Sequence, residues 1–88
     1  MAIDLRPEVK WFAEVMESKL RKYDNEKGIS GWKEESRLWL YARLVQELLE
    51  LHEALTEEIP LEENILEECA DVANVAMMIA DKGREKEE

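Results

Sequence analysis

The sequence predicts an all-α protein, an antiparallel three-helix chain forming a helical bundle that is completed by dimerisation. Three observations support this class. Apolar residues recur at three- and four-residue spacing in three long segments. Glycine or proline interrupts the pattern between those segments. No segment alternates apolar and polar residues as a half-buried strand does, and short connections between helices favour antiparallel neighbours.

The first helix is predicted from about Pro7 to Tyr23, because proline is tolerated in the first turn of a helix. Its apolar residues form one stripe along the helix. Trp11 lies nearly opposite that stripe, so it either covers the surface or packs on a second chain. The stripe consists of Val9, Phe12, Ala13, Met16, Leu20 and Tyr23.

The segment from Asp24 to Trp32 is predicted to be a loop, since Gly28 and Gly31 break the helical pattern. At the end of this loop, the aromatic ring of Trp32 is followed directly by the cation of Lys33. That pair is suited to binding a base and a phosphate, and it also occurs in ordinary loops.

The second helix is predicted from about Lys33 to Glu57, and its apolar residues cover an arc of about 200°. So wide an arc indicates either two neighbours in the chain or one neighbour in the chain and one across an interface. His52 lies within the arc and is predicted to be a core residue rather than a metal ligand. The main stripe is Leu38, Tyr41, Ala42, Val45, Leu48, Leu49, His52 and Leu55, and the residues that widen it are Leu40, Leu44 and Leu51.

The third helix is predicted from Leu61 to Lys82, with Gly83 as its stop. The stretch from Val72 to Ala80 is apolar on most sides, and Asn74 is its single polar residue, so this half of the helix is predicted to be buried. The wide arcs of the second and third helices predict self-association, most simply a twofold dimer, with a tetramer left open. Residues 1–83 are expected to form one domain and residues 84–88 a charged tail.

Composition excludes several classes of protein. The formal net charge is −10 and the basic residues are scattered, whereas nucleic-acid binders carry a basic stripe for phosphates. No apolar run reaches the length of a membrane span, and the N-terminus has no apolar core typical of a signal peptide. Cys69 is the single cysteine and is expected to be a small buried hydrophobe. We therefore expect a cytoplasmic protein with no nucleic-acid or membrane partner.

Two helices each carry a pair of acids three residues apart, Glu47 with Glu50 and Glu68 with Asp71. This spacing puts both side chains of a pair on one face of a helix. The two pairs are about equally far from the connection near Pro60, so they are expected to meet at one level of the bundle. Four carboxylates there predict a site for Mg²⁺, with Mn²⁺ possible, because hard cations prefer oxygen ligands.

The sequence resembles the MazG-like group of all-α nucleoside triphosphate pyrophosphohydrolases. The resemblance lies in Phe12–Leu20 (FAEVMESKL), in Gly31-Trp32 before a long helix, in Arg43–Leu55 (RLVQELLELHEAL), and most closely in Glu67–Asp81 (EECADVANVAMMIAD). The chain departs from the group at Gln46, where the group often has a second glutamate.

The resemblance implies a dimeric enzyme that hydrolyses a nucleoside triphosphate between the α and β phosphates. It places the metal ligands on the same four acids, and Glu47, the acid closest to the apolar arc, is our choice of general base. Asn74 is expected to bond the substrate or a ligand carboxylate, while Trp32, Lys33 and Lys82 are further candidates for substrate binding. The alternative is a non-enzymatic acidic helical dimer that acts as a protein-interaction module.

Overall fold

The structure, a computed structural model, describes residues 3–28 and 31–84. These two ranges contain three α-helices, no β-strand and one short 3-10 turn, so the all-α class is confirmed. Residues 29 and 30 of the predicted loop and residues 85–88 of the predicted tail lie outside the described residues. The helices are α1 (Pro7–Lys27), α2 (Arg37–Thr56) and α3 (Glu62–Arg84), and the 3-10 turn is Gly31–Glu34.

Helix α3 is the central element, because both α1 and α2 pack on it. The start of α2 lies beside the end of α3, where Arg37 Nε donates a hydrogen bond to the carbonyl oxygen of Ile79 over 3.3 Å. Helix α1 also contacts α3: Asn74 Nδ2 donates a hydrogen bond to the carbonyl oxygen of Met16, and Asp71 pairs with Lys19 one turn further along α1. Residue numbers therefore run in opposite directions across both contacts, as the prediction of antiparallel neighbours requires.

Helix α1 is longer than predicted, since it continues from Tyr23 to Lys27. It ends at Gly28, whose φ of 91° lies in the left-handed region that glycine adopts readily. The amide of Gly28 donates to the carbonyl oxygen of Asp24 over 2.9 Å and so closes the last turn. The predicted loop is consequently short, and Trp32 lies in the 3-10 turn rather than in irregular chain.

Helix α2 begins at Arg37, four residues later than predicted, because Ser36 provides its N-cap. The Ser36 hydroxyl accepts a hydrogen bond from the backbone amide of Trp39 over 3.1 Å. A cap of this kind satisfies one of the amides that the first turn of a helix leaves without a partner.

Replacing Ser36 with alanine is expected to lower the free energy of unfolding by about 1 kcal/mol. Urea denaturation of the native chain and the variant measures the difference. Ser18→Ala is the matched control, since Ser18 is exposed within α1 and alanine is the better helix former there. An equal loss of stability in both variants would contradict the capping role.

Gly83 does not stop α3, which continues to Arg84. The guanidinium of Arg37 lies where a Cβ at Gly83 would stand, so a larger residue there would require the end of that flexible side chain to shift. Gly83 lies inside α3 beside the Arg37 side chain, and the prediction of a helix stop was wrong.

The face of α2 that packs on α3 is the one formed by the three leucines that widen its apolar arc. Leu40 is 1% exposed, and Leu44 and Leu51 are partly buried on the same face. Most of the predicted main stripe is exposed instead, including Leu38 at 81% and Tyr41 at 58%. His52 is also exposed, so its prediction as a core residue was wrong for the single chain. The sequence pattern contains two apolar faces, and α3 covers the one that the main stripe does not include.

The core is small and lies where α3 meets α2 and the 3-10 turn. Cys69 is only partly buried, which falls short of the full burial that we expected. None of the helices within the described residues is long and apolar enough to cross a membrane. The buried apolar residues are Trp32, Leu40, Ala70, Val75 and Met78.

Candidate metal centre

Three of the four predicted metal ligands converge between α2 and α3. Carboxylate oxygens of Glu47, Glu50 and Glu68 all lie within 4.8 Å of one another. Glu47 is buried on the inward face of α2, Glu50 is exposed one turn later, and Glu68 is partly buried on α3. The two acid pairs are about equally far along the chain from the α2–α3 connection, so the antiparallel hairpin brings them to one level, as predicted.

Asp71, the fourth predicted ligand, is not a member of that group of three. It lies one turn after Glu68 and forms an ion pair with Lys19 of α1, with Nζ and Oδ1 3.4 Å apart. It still borders the same space, because Asp71 and Glu47 line one cleft. The negative charge of Asp71 also raises the pKa of both Glu47 and Glu68.

The carboxylates of Glu47 and Glu68 each have one buried oxygen that no described residue reaches with a hydrogen bond. The side chain of Glu47 is only 10% exposed, and Arg43 Nε lies 3.4 Å from its other oxygen, Oε1. A buried carboxylate oxygen without a donor is unfavourable unless a proton or a cation occupies its lone pairs. The three glutamates therefore fit a divalent cation in both donor chemistry and spacing.

Protonation is the other way to satisfy these oxygens. Burial, and then hydrogen bonding and charge from Glu50, raise the pKa of Glu47 to about 7. Burial and the charge of Asp71 raise the pKa of Glu68. Burial also raises the pKa of Asp71, against the opposing effect of Lys19. In the metal-free protein near neutral pH, Glu47 thus holds a proton for part of the time, and a bound cation would replace it.

A cleft lined by aromatic rings adjoins the carboxylates. Glu47 and Asp71 form its acidic end, where Lys19 and Arg43 also lie. The Arg43 guanidinium is 5.8 Å from the ring centre of Tyr23 and 6.0 Å from that of Trp39. The remaining lining residues are Leu20, Tyr23, Trp32, Trp39, Leu40, Asn74, Val75 and Met78.

Asn74 presents a hydrogen-bond acceptor in this cleft. The residue is 4% exposed, and its Nδ2 donates to the carbonyl oxygen of Met16 over 3.1 Å. That bond fixes the orientation of the amide, because the reverse orientation would set two oxygens against each other. Its Oδ1 is buried and has no partner among the described residues. Met16 is the hydrogen-bond partner of the Asn74 amide among the described residues, and a bond to a ligand carboxylate or to a substrate stays a prediction.

Two of the candidate substrate residues lie away from the carboxylates. Lys33 stands 5.5 Å from the Trp32 ring centre and 4.0 Å from Asp81, and it does not line the cleft. Lys82 donates to the carbonyl oxygen of Lys33. It follows Asp71 by eleven residues, which is about 16 Å along a helix. Trp32, in contrast, lines the cleft, where it is 8% exposed and packs in the apolar core.

Four residues of this site were not predicted from the sequence: Lys19, Tyr23, Trp39 and Arg43. Arg43 precedes Glu47 by four residues, a spacing that places the two side chains together on a helix and could have indicated the contact. Lys19 had no such signal, because its contact with Asp71 depends on how α1 is aligned with α3. No protein-family model, curated protein or solved structure matches this chain.

The raised pKa of Glu47 predicts a stability that depends on pH and on metal. Without metal, the folded state retains a proton on Glu47 up to a pKa of about 7, whereas the unfolded state loses it near the ordinary glutamate pKa of 4.5. This contribution is complete below pH 4.5 and is lost as the pH rises through 7. Divalent cations bind the ionised form, so they should stabilise the protein most above pH 7.

Thermal unfolding with and without Mn²⁺ at pH 5 and pH 8 measures this effect. We expect Mn²⁺ to raise Tm clearly more at pH 8 than at pH 5, and Glu47→Gln to remove most of the difference. An equal rise in Tm at both values of pH would show that Mn²⁺ does not compete with a proton on Glu47.

Proposed function

We propose that this chain is a Mg²⁺-dependent nucleoside triphosphate pyrophosphohydrolase of the MazG-like group. The observation that carries the proposal is the convergence of Glu47, Glu50 and Glu68 from two helices, with two buried oxygens left without donors beside an aromatic cleft. An acidic site of this kind can hold a triphosphate only through a cation. The aromatic cleft next to it supplies a surface on which a base can stack.

The three glutamates would hold Mg²⁺ or Mn²⁺, with Asp71 one turn away as a fourth ligand once it leaves Lys19. Bound metal would offset the charge of the triphosphate and make water a stronger nucleophile. The water oxygen forms a bond to the α phosphorus, the bond from that phosphorus to the bridging oxygen breaks, and pyrophosphate leaves. Glu47 takes the proton of the water, because its carboxylate is buried and one of its oxygens has no hydrogen-bond partner among the described residues.

The cleft would bind the nucleoside. Trp32 and Trp39 provide ring faces, and Trp39, at 44% exposed, can turn outward to admit a base. Asn74 Oδ1 accepts a hydrogen bond from an N–H group of the base, which satisfies its buried lone pairs. We propose Lys19 and Arg43, rather than Lys33 and Lys82, as the cations nearest the phosphates, because they alone among these four line the cleft.

We also propose that the enzyme is a homodimer joined through the exposed face of α2. Six residues of that face follow each other at spacings of three and four, which is the pattern of a coiled-coil seam. Four of its apolar residues are more than 45% exposed in the single chain. This seam consists of Leu38, Tyr41, Val45, Leu48, His52 and Leu55.

The surface area of the single chain supports this assignment. The chain exposes 7029 Å², whereas a monomeric protein of its mass exposes about 5,400 Å². The excess is about 1,600 Å², and a stable interface buries about 800 Å² from each partner. The radius of gyration of 14.3 Å is likewise larger than the roughly 12 Å of a compact domain with 88 residues.

Hydrolysis in ¹⁸O-labelled water tests which phosphorus is attacked. Attack at the α phosphorus places the label in the nucleoside monophosphate, and attack at the β phosphorus places it in pyrophosphate. We expect the first result. Release of orthophosphate and a nucleoside diphosphate would instead exclude the proposed reaction.

A further inference from the structure

Both cations of the cleft are paired with carboxylates of the candidate metal centre. Lys19 Nζ lies 3.4 Å from Asp71 Oδ1, and Arg43 Nε lies 3.4 Å from Glu47 Oε1. The two cations come from different helices, α1 and α2, and both line the cleft together with their partners. Two of the site's carboxylates are therefore already neutralised by side chains of the chain itself.

Both ion pairs are positioned so that Lys19 and Arg43 can exchange a carboxylate partner for an anion from solvent. Their side chains are 24% exposed for Lys19 and 37% for Arg43, so both cations stand at the border between buried acids and solvent. Arg43 also lies beside the faces of Tyr23 and Trp39, which hold its guanidinium at the cleft when it has no carboxylate partner.

A divalent cation and a side-chain cation compete for the same carboxylates. When the glutamates and Asp71 coordinate a divalent ion, that ion repels the positive charges of Lys19 and Arg43. The two side chains then lose their carboxylate partners. Two unpaired cations then remain at the mouth of a cleft that already lies next to the metal centre. The ligand that restores their charge balance is a polyanion bound to the same ion.

We propose that Lys19 and Arg43 are exchangeable counter-ions, which neutralise Asp71 and Glu47 in the metal-free protein and pass to a polyphosphate when a divalent cation binds. This inference rests on the proposed function and adds a coupling to it. The divalent cation releases Lys19 and Arg43 from their carboxylates, so that they can bind the polyphosphate. The polyphosphate in turn holds Lys19 and Arg43 away from the carboxylates that bind the cation. Each ligand therefore makes the binding of the other more favourable.

The test measures Mn²⁺ binding by electron paramagnetic resonance for the native chain, Lys19→Met and Arg43→Met. Removing a competing cation should make Mn²⁺ bind about three- to tenfold more tightly. The same variants should bind the Mn²⁺ complex of inorganic tripolyphosphate about tenfold more weakly, because the anion loses a partner. These opposite changes distinguish a counter-ion from a residue that merely supports the fold, whose loss would weaken both.

Two controls complete the design. Lys22→Met removes the same charge from a residue near Glu47 and Asp71 that forms no ion pair with either in the structure, so it should change Mn²⁺ affinity much less. Lys19→Arg keeps the ion pair and should bind Mn²⁺ as the native chain does. Circular dichroism confirms that each variant is folded.

The outcomes separate this inference from the proposed function. Failure of the native chain to bind Mn²⁺ would overturn the metal centre itself and the inference with it. Normal Mn²⁺ binding by the native chain, with Lys19→Met and Arg43→Met no different from Lys22→Met, would overturn the counter-ion exchange and leave the metal centre intact.

Discussion

Replacing Glu68 with glutamine is expected to lower kcat/KM for pyrophosphate release by about 10²- to 10³-fold. Glu68 is the residue of α3 in the group of three carboxylates, and one of its oxygens is buried with no donor from the described part of the chain. Glutamine has nearly the same shape, but it loses the negative charge and one of the two oxygens that can hold a cation. Initial rates at saturating Mg²⁺ measure the effect.

Glu67→Gln is the matched control for this prediction. Glu67 precedes Glu68 directly, is exposed, and does not belong to the group of three. It has the same charge and lies on the same helix, so its replacement should leave the rate within about twofold. Equal losses in the two variants would show that general acidity, and not the converging carboxylates, supports the activity.

Replacing Leu40 with alanine is expected to lower the free energy of unfolding by about 2–5 kcal/mol. Leu40 is 1% exposed and is the largest fully buried side chain within the described residues. Its removal leaves a cavity between α2 and α3 that the neighbouring side chains fill only in part. For a chain of this size, the loss corresponds to a fall in Tm of more than about 10 °C.

Leu38→Ala makes the same chemical change two residues earlier, at a position that is 81% exposed. We expect it to cost much less than Leu40→Ala at a protein concentration low enough to keep the chain monomeric. A larger loss at Leu38 than at Leu40 would mean that α2 packs on α3 through the opposite face to the one described.

The sequence was sufficient to predict the number and order of the helices, because their apolar periodicity is continuous and their breaks contain glycine or proline. It was not sufficient to predict which face of α2 is covered by α3. Leu40, Leu44 and Leu51 form one apolar row, and Leu38, Tyr41 and their successors form another of similar strength. Periodicity shows that both rows are apolar, but tertiary packing determines which of the two rows contacts α3.

The candidate site was predictable to a similar degree. Glu47 and Glu68 meet because α2 and α3 form a hairpin, and a short connection fixes which residues lie at the same level. The contacts of α1 had no such constraint, since the 3-10 turn and its flanking residues separate it from α2. Lys19 beside Asp71 and Asn74 against Met16 therefore became visible only in the folded chain.

The measurement that tests the central claim most directly is pyrophosphate release by the native chain from a panel of canonical and modified nucleoside triphosphates, with Mg²⁺ and without it. We expect release of pyrophosphate and nucleoside monophosphate that requires the cation and differs in rate among the bases. No release from any triphosphate, with Mn²⁺ also supplied and the chain shown to be folded, would contradict the claim and favour an acidic helical module that binds a protein partner.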